Sequence, residues 1–303
     1  MALWALLLLS AVVFAWVKFI NANIAIAAEA NFGLQARALA HSGVQVAMHP
    51  RVSPATPALE QTLGNGSYRV TLTGEGGKLN LNWLLDEKDP KHPIKIPILK
   101  KYLDLRGLDF QQRETLVDSL LDWIAPPGSK TQGGGESDNY RPPHRGYLIS
   151  LDEIKQVKGG DALTSQPGWS DDFTLWSGDG KIVKPTSPID LQHASQLVLE
   201  SLPTTPAITD RLAERFIQYR LGPDKIEGTA DDGPLTDPKI VASNLGLTPK
   251  QYQAQLQINN LVTLNDPTWR AVSVGQAANR TRQVEVVFRK GGAQPQIFLW
   301  KEF

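Results

Sequence analysis

The chain has 303 residues and carries 31 lysines and arginines against 31 aspartates and glutamates, so it has no net charge and supplies no global field for nucleic acid or an anionic surface. The absence of cysteine excludes disulfides, zinc–thiolate sites and thiol catalysis. An apolar fraction of 41% suffices for one large domain or two ordinary ones, and the five histidines (His41, His49, His92, His144 and His193) lack the spacing of an HExxH or other metal motif.

The first element is apolar. Met1 to Val17 contains no charge and a single hydroxyl, Ser10. As a helix this run covers about 26 Å, close to the roughly 30 Å hydrocarbon core of a bilayer, so it spans or nearly spans a membrane. Lys18 interrupts it but can snorkel, and Phe19, Ile20, Ile24 and Ile26 continue the apolar character among alanines. Good helix formers from Glu29 to Met48 predict that the same helix runs on, with Phe32, Leu34, Leu39, Val44, Val46 and Met48 available to a core, until His49-Pro50 stops it. Two alternatives stay open. Ala25-Ile26-Ala27 has the small-x-small form of a signal cleavage site, although a basic n-region is missing and Lys18 follows the apolar core. A buried core helix is the other, although such a helix rarely opens on a long uncharged run.

Arg51 to Gly66, rich in Pro, Ser, Thr and Gly, reads as a surface linker. Ser67 to Thr73 and Lys78 to Leu84 alternate apolar and polar residues around Glu75-Gly76-Gly77, which predicts a β-hairpin. Trp269 to Val274, Gln283 to Arg289 and Gln296 to Trp300 predict closing antiparallel strands. Packing both strand groups on the long helix gives an α+β module whose sheet is built from both ends of the chain, with a large all-α insertion between them. The expected organisation is a transmembrane helix (1–27), the first part of the module (28–85), the helical insertion (86–267) and the closing strands (268–303).

Within the insertion, Asp109 with Gln112 forms a capping box before a stripe of Leu116, Leu120, Leu121 and Ile124. Ser150 with Glu153 opens a short helix to Val157. Asp190 to Leu202 and Ile208 to Leu221 predict two more, and Thr248-Pro249 supplies an N-cap followed by proline at the first helical position.

Chemistry-bearing stretches are few. The loop from Gly222 to Gly233 gathers Asp224, Glu227, Asp231 and Asp232, a crowding relieved either by water or by a cation that takes 6 to 8 oxygens, such as calcium. It is not an EF-hand, because Ile226 occupies the third loop position and the twelfth lacks glutamate. A solvated acidic turn explains the same residues equally well. Gly133 to Tyr140 is a second acidic loop, in which Glu136, Asp138 and Asn139 offer oxygens and the glycines let the backbone bend; a plain surface loop has the same composition. Ser177 to Lys181 lacks the first glycine of a phosphate loop and reads as a tight turn. The helix pair joined by Leu202 to Pro206 lacks the glycine amides of a DNA-gripping turn, so it reads as a packing unit. No nucleophile stands beside a base in a recognisable context, and no enzymatic activity is expected.

Several short segments, in this order, resemble the K-type minor pseudopilins (GspK) of bacterial type II secretion systems. They are the start MALWALLLLSAVVFAW, Gly76 to Asn82 (GGKLNLN), Leu120 to Ile124 (LLDWI), Gly134 to Tyr140 (GGESDNY), Leu148 to Gly159 (LISLDEIKQVKG) and Phe173 to Ile182 (FTLWSGDGKI). Ala5 stands where other pseudopilins carry a glutamate, and an apolar residue there is what the K type shows. The resemblance implies a pilin-like module, Met1 as the processed N-terminus, and a calcium-binding insertion with Glu136 and Asp138 among the ligands. Ser137 departs from the acidic residue usual in that loop, and Ala125-Pro126-Pro127 replaces an acidic run. Asp224, Glu227, Asp231 and Asp232 stay candidates by composition. The resemblance also implies partners among the I and J minor pseudopilins, single-pass residence in the bacterial inner membrane with a periplasmic body, and a role at the filament tip. A type IV pilus minor pilin and a calcium-stabilised secreted protein with a cleaved signal are the alternatives.

Overall fold

The structure is a computed structural model that describes residues 2–126, 142–291 and 294–303. α1 (Ala2–Ala47) is one continuous helix of 46 residues, about 69 Å long. It stops just before His49-Pro50, as the restriction on the residue preceding proline demands. Ala36, Ala40, Val44 and Ala47 recur at helical spacing, are fully buried, and form the stripe that lies on the sheet.

The strands are β1 (Glu60–Leu63), β2 (Gly66–Gly74), β3 (Leu79–Asn80), β4 (Phe173–Thr174), β5 (Ile189–Asp190), β6 (Val262–Thr263), β7 (Thr268–Ala277), β8 (Arg280–Arg289) and β9 (Gln296–Glu302). The main sheet is antiparallel in the order β1-β2-β7-β8-β9, so both ends of the chain build it, as expected. Helix and sheet approach closely at small residues: a Cβ added to Gly275 would come 2.1 Å from the Ala36 carbonyl oxygen, and one on Gly43 2.4 Å from Ser273 Oγ. Tyr68, Val70, Leu72, Val284, Val286 and Phe288 fill the space beneath α1.

The hairpin expected from Ser67 to Leu84 does not form. β2 already has a partner on each side, β1 and β7, and β3 pairs instead in parallel with β4. The partner of β2 comes from residues 60–63, inside the stretch read as a linker. The misleading signal was alternation: in Leu79-Asn80-Leu81-Asn82 the asparagines are buried along with the leucines. Asn80 caps α2 (Leu81–Leu84) by accepting from the Trp83 amide at 3.2 Å, and Asn82 exchanges two hydrogen bonds with the Leu148 backbone.

The insertion is built from α2, α3 (His92–Leu105), α4 (Phe110–Ile124), α5 (Gly160–Thr164), α6 (Gln196–Glu200), α7 (Asp210–Leu221), α8 (Pro238–Asn244) and α9 (Pro249–Tyr252), which runs into a π-helical turn, Gln253–Gln257. The capping boxes at Asp109, Ser150 and Thr248 are present. Two small parallel strand pairs, β3 with β4 and β5 with β6, supplement the helices at its root. The helix expected over Asp190 to Leu202 shortens to α6, because Asp190 is drawn into β5 and its carboxylate accepts the Gln192 and Asp266 amides at 2.9 and 2.7 Å.

Two separate hydrophobic cores divide the molecule. One lies between α1 and the sheet; the other fills the insertion and includes Leu79, Leu81, Trp83, Leu84 and Leu85. The boundary expected at 85/86 therefore falls too late, since these residues pack into the insertion. The chain leaves the sheet at Glu75-Gly76-Gly77 and returns at Asp266. A Cβ on Gly76 would meet the Asp266 side chain at 2.3 Å, and one on Gly77 the His193 backbone at 2.2 Å. These glycines serve close approach of the two crossing strands of chain.

Glu75 ties this junction. It is fully buried, Arg270 of β7 grips both its oxygens at 2.6 and 2.8 Å, and Thr174 of β4 donates to it at 2.5 Å. Arg270 also pairs with Glu285 of β8, so one carboxylate links the insertion to three strands of the sheet. Burial alone would raise the Glu75 carboxyl; the Arg270 bonds and charge, with Lys78 and Thr174, outweigh it and hold the group below the usual carboxylate range. A carboxyl held low in the folded state contributes stability that is complete above its unfolded value, about 4.3, and is lost as pH falls through the folded value. Glu75→Gln is therefore expected to cost about 3 kcal/mol at neutral pH, by leaving Arg270 less well compensated. The gap in Tm from wild type should narrow as the pH falls below about 4; a pH-independent gap in thermal melts would contradict the assignment.

Candidate assembly surface

The first two-thirds of α1 stands clear of both cores. Leu3 is 79% exposed and Trp4 72%, and large apolar side chains remain exposed as far as Ile26. Apolar residues surround this part of the helix instead of occupying one face, which distinguishes a lipid-facing or helix-packing segment from an amphipathic surface helix. Lys18 is the single charge from Ala2 to Ala28, and its ammonium lies 5.0 Å above the Phe14 ring. α1 is long and apolar enough to cross a membrane.

The body is mounted at the far end of this helix. Glu29 of α1 pairs with Arg280 at the start of β8 at 2.6 Å, whereas at the other end of the same strand Lys290 donates to the Val52 carbonyl at 2.6 Å, just past the end of α1. Lys290 is sequestered there against the Trp269 ring, and burial pushes its ammonium down to about 8. The insertion leaves the sheet at this second end, at Glu75 and Asp266. It therefore covers the end of the module remote from the apolar helix.

The acidic loops divide into two cases. Glu136 and Asp138 lie outside the described residues. Asp224, Glu227, Asp231 and Asp232 lie in one loop between α7 and α8, where Asp231 and Asp232 both approach Thr229 Oγ1, at 2.7 and 3.4 Å. Asp224 accepts from the Ile226 amide at 2.8 Å, and Asp232 from the Gly228 amide at 2.7 Å. Asp231 accepts from Thr229 Oγ1 at 2.7 Å and from the Asp224 amide at 3.2 Å, bonds that hold its carboxyl below the usual range. Glu227 turns to His193 Nδ1 at 2.7 Å. Among the described residues no three acidic, histidine or cysteine side chains gather round a cation-sized point. Amides and a hydroxyl relieve part of the repulsion among the four.

The other motif readings resolve locally. Gly178 and Gly180, both at positive φ, form the expected turn, and the Gly178 amide donates to Asp266 at 2.6 Å, so it is not free for a phosphate. In the Leu202 to Pro206 turn the Thr205 amide and carbonyl are both taken by Gln255, which makes it a packing unit. Sequence reasoning missed the Glu75–Arg270–Thr174 tie and the His193–Glu227 pair, whose members are far apart in the chain. The only local signal was Gly76-Gly77, which reads equally as a hairpin turn.

Residues 77–166, from the exit of the sheet to just beyond α5, match the family model for protein K of the type II secretion system (T2SS). The match covers this segment of the chain and marks it as similar to that family. The chain is similar in fold to a chain in the crystal structure of the GspK-GspI-GspJ complex of the enterotoxigenic Escherichia coli type 2 secretion system. That likeness covers 94% of this chain and 99% of the other, with a TM-score of 0.60 and 14% identity. No curated protein matches the chain at a significant level. The K-type resemblance and the pilin-like α+β fold expected from the sequence are thereby borne out.

An arginine pair placed mid-way along the exposed run tests the anchoring capacity of α1. Val12→Arg with Val13→Arg adds about 5 to 7 kcal/mol to insertion at the centre of a bilayer. The double variant is expected to move from the carbonate-resistant membrane fraction to the soluble fraction; unchanged fractionation would show that this run is not the anchor.

Proposed function

We propose that the chain is a non-enzymatic minor pseudopilin of a type II secretion system, anchored in the inner membrane by α1, with its body in the periplasm, at the tip of the pseudopilus. The observation that carries this reading is the position of the insertion. A subunit within a helical filament must accept neighbours on both ends of its module, and here the end remote from the apolar helix is occupied by the insertion's own core. One end is left for assembly, through α1 and the sheet.

In the similar crystal structure, GspK stands in a complex with GspI and GspJ. By that analogy the partners are minor pseudopilins of the I and J types, and the exposed apolar helix supplies the packing surface in the membrane. Tagged at the end of the insertion, the chain is expected to co-purify with those two partners in near-equal amounts and to mark one end of isolated filaments. Labelling distributed along the filaments would remove the tip assignment.

Calcium belongs to the same reading as a proposal for the loops holding Glu136, Asp138, Asp224, Glu227, Asp231 and Asp232. Its support is their acidic composition and the resemblance that singled out Glu136 and Asp138. A cation held by the folded chain alone raises stability with its concentration. Millimolar calcium added to chelator-treated protein is expected to raise Tm by several degrees, about 3 kcal/mol at a hundredfold excess over the dissociation constant. Magnesium should do less. Equal melts with and without calcium would end the proposal.

A further inference from the structure

Where α1 leaves the sheet, it faces the start of β8 across an open groove of about 480 Å³. One wall is apolar, with Ile26 and Leu34; the other carries Arg37, Arg280 and Arg282, with Glu29 between them. Two of the arginines have acidic partners, Arg280 with Glu29 at 2.6 Å and Arg37 with Glu302 at 2.8 Å. Arg282 has no carboxylate within ion-pair distance among the described residues. Its Nη1 donates to the carbonyl of its neighbour Thr281 at 3.2 Å, and its other end reaches over Gly33, where an added Cβ would lie 3.9 Å from Nη2. Arg37 and Arg282 also wall the adjoining groove of about 250 Å³, so the guanidinium is open on two sides.

Height along the helix decides what this groove meets. Ala2 to Ala28 spans about 39 Å with one charge, and the hydrocarbon core takes about 30 Å of it. A core that ends near Ala28 then puts Ile26 at its edge and Glu29 to Gly33, with Arg282 beside Gly33, within the headgroup layer of about 5 to 7 Å, and Arg37 reaches down from just above it. A chain without net charge places three guanidinium groups there, against a wall that continues the membrane-facing surface of α1. A planar fork of donors suits phosphate oxygens, and the apolar wall suits the first carbons of acyl chains. We infer that this groove binds the phosphate of an anionic phospholipid, with Arg282 as its principal donor and Arg280 and Arg37 alongside. Charge complementarity and continuity with the apolar helix favour lipid over a protein partner as the occupant. The inference rests on the membrane-anchored reading of α1.

The full chain in vesicles and in detergent provides the test. Flotation with vesicles of phosphatidylcholine alone reads the anchor; failure to float would remove the anchored reading and this inference with it. Native mass spectrometry of the detergent-solubilised chain, given equal phosphatidylglycerol and phosphatidylcholine, is expected to retain the anionic lipid about tenfold over the neutral one. Arg282→Gln should reduce that preference about fivefold and Arg282→Glu abolish it, with unchanged Tm. A chain that floats but shows equal retention of the two lipids, or a preference that neither variant alters, overturns the inference alone. So does a variant that keeps its lipid preference and loses co-purifying minor pseudopilins, which would make the groove a protein contact.

Discussion

The structure depends on a buried ion pair at the junction of its two hydrophobic cores. Glu75 has no access to solvent, and its charge is tolerable only because Arg270, Thr174 and Lys78 surround it. Each partner comes from a different part of the chain. Without this arrangement the insertion would be joined to the sheet by two crossing stretches and by contacts such as Arg289 to the Gly178 carbonyl and Trp176 stacked on Phe298. With it, the insertion has a defined seat, and β2, β7 and β8 are locked at the same point.

Asp190 and Asp266 complete the seat in another way. Both are buried, and burial raises both carboxyls against the backbone amides that favour their charged forms. Their contribution has the opposite pH sign to that of Glu75: relief comes on protonation as the pH falls. The junction is therefore held by hydrogen bonds whose direction is fixed, Asp266 receiving from Gly178 and Thr268, and Asp190 from Gln192 and Asp266. Gly76 and Gly77 let the backbones come close enough for these bonds to form.

A rigid seat matters for a body that stands at the end of a long helix. α1 meets the sheet through alanines and glycines, so its backbone lies close to β7 and its direction is set by the sheet. The insertion is set by the same sheet at the opposite end. Its orientation relative to the apolar helix is then a property of the fold. The acidic loop between α7 and α8 belongs to this end as well: Gly228 packs near Ser53, just past α1, and Glu227 reaches His193 beside the junction.

The sequence by itself determined what depends on neighbours along the chain. The apolar run of α1, its stop at His49-Pro50, the capping boxes at Asp109, Ser150 and Thr248, and the closing strands β7 to β9 all follow from local patterns that their own residues satisfy. Tertiary structure decided the rest, where a local signal has two physical causes. Alternation from Leu79 to Asn82 marks a half-exposed strand or a segment with buried, bonded asparagines, and only Leu148 and Trp83 choose between them. Gly76-Gly77 marks a turn or a close crossing, and Asp266 and His193 choose. The Arg37, Arg280 and Arg282 groove brings together residues more than two hundred positions apart, which no window along the chain contains.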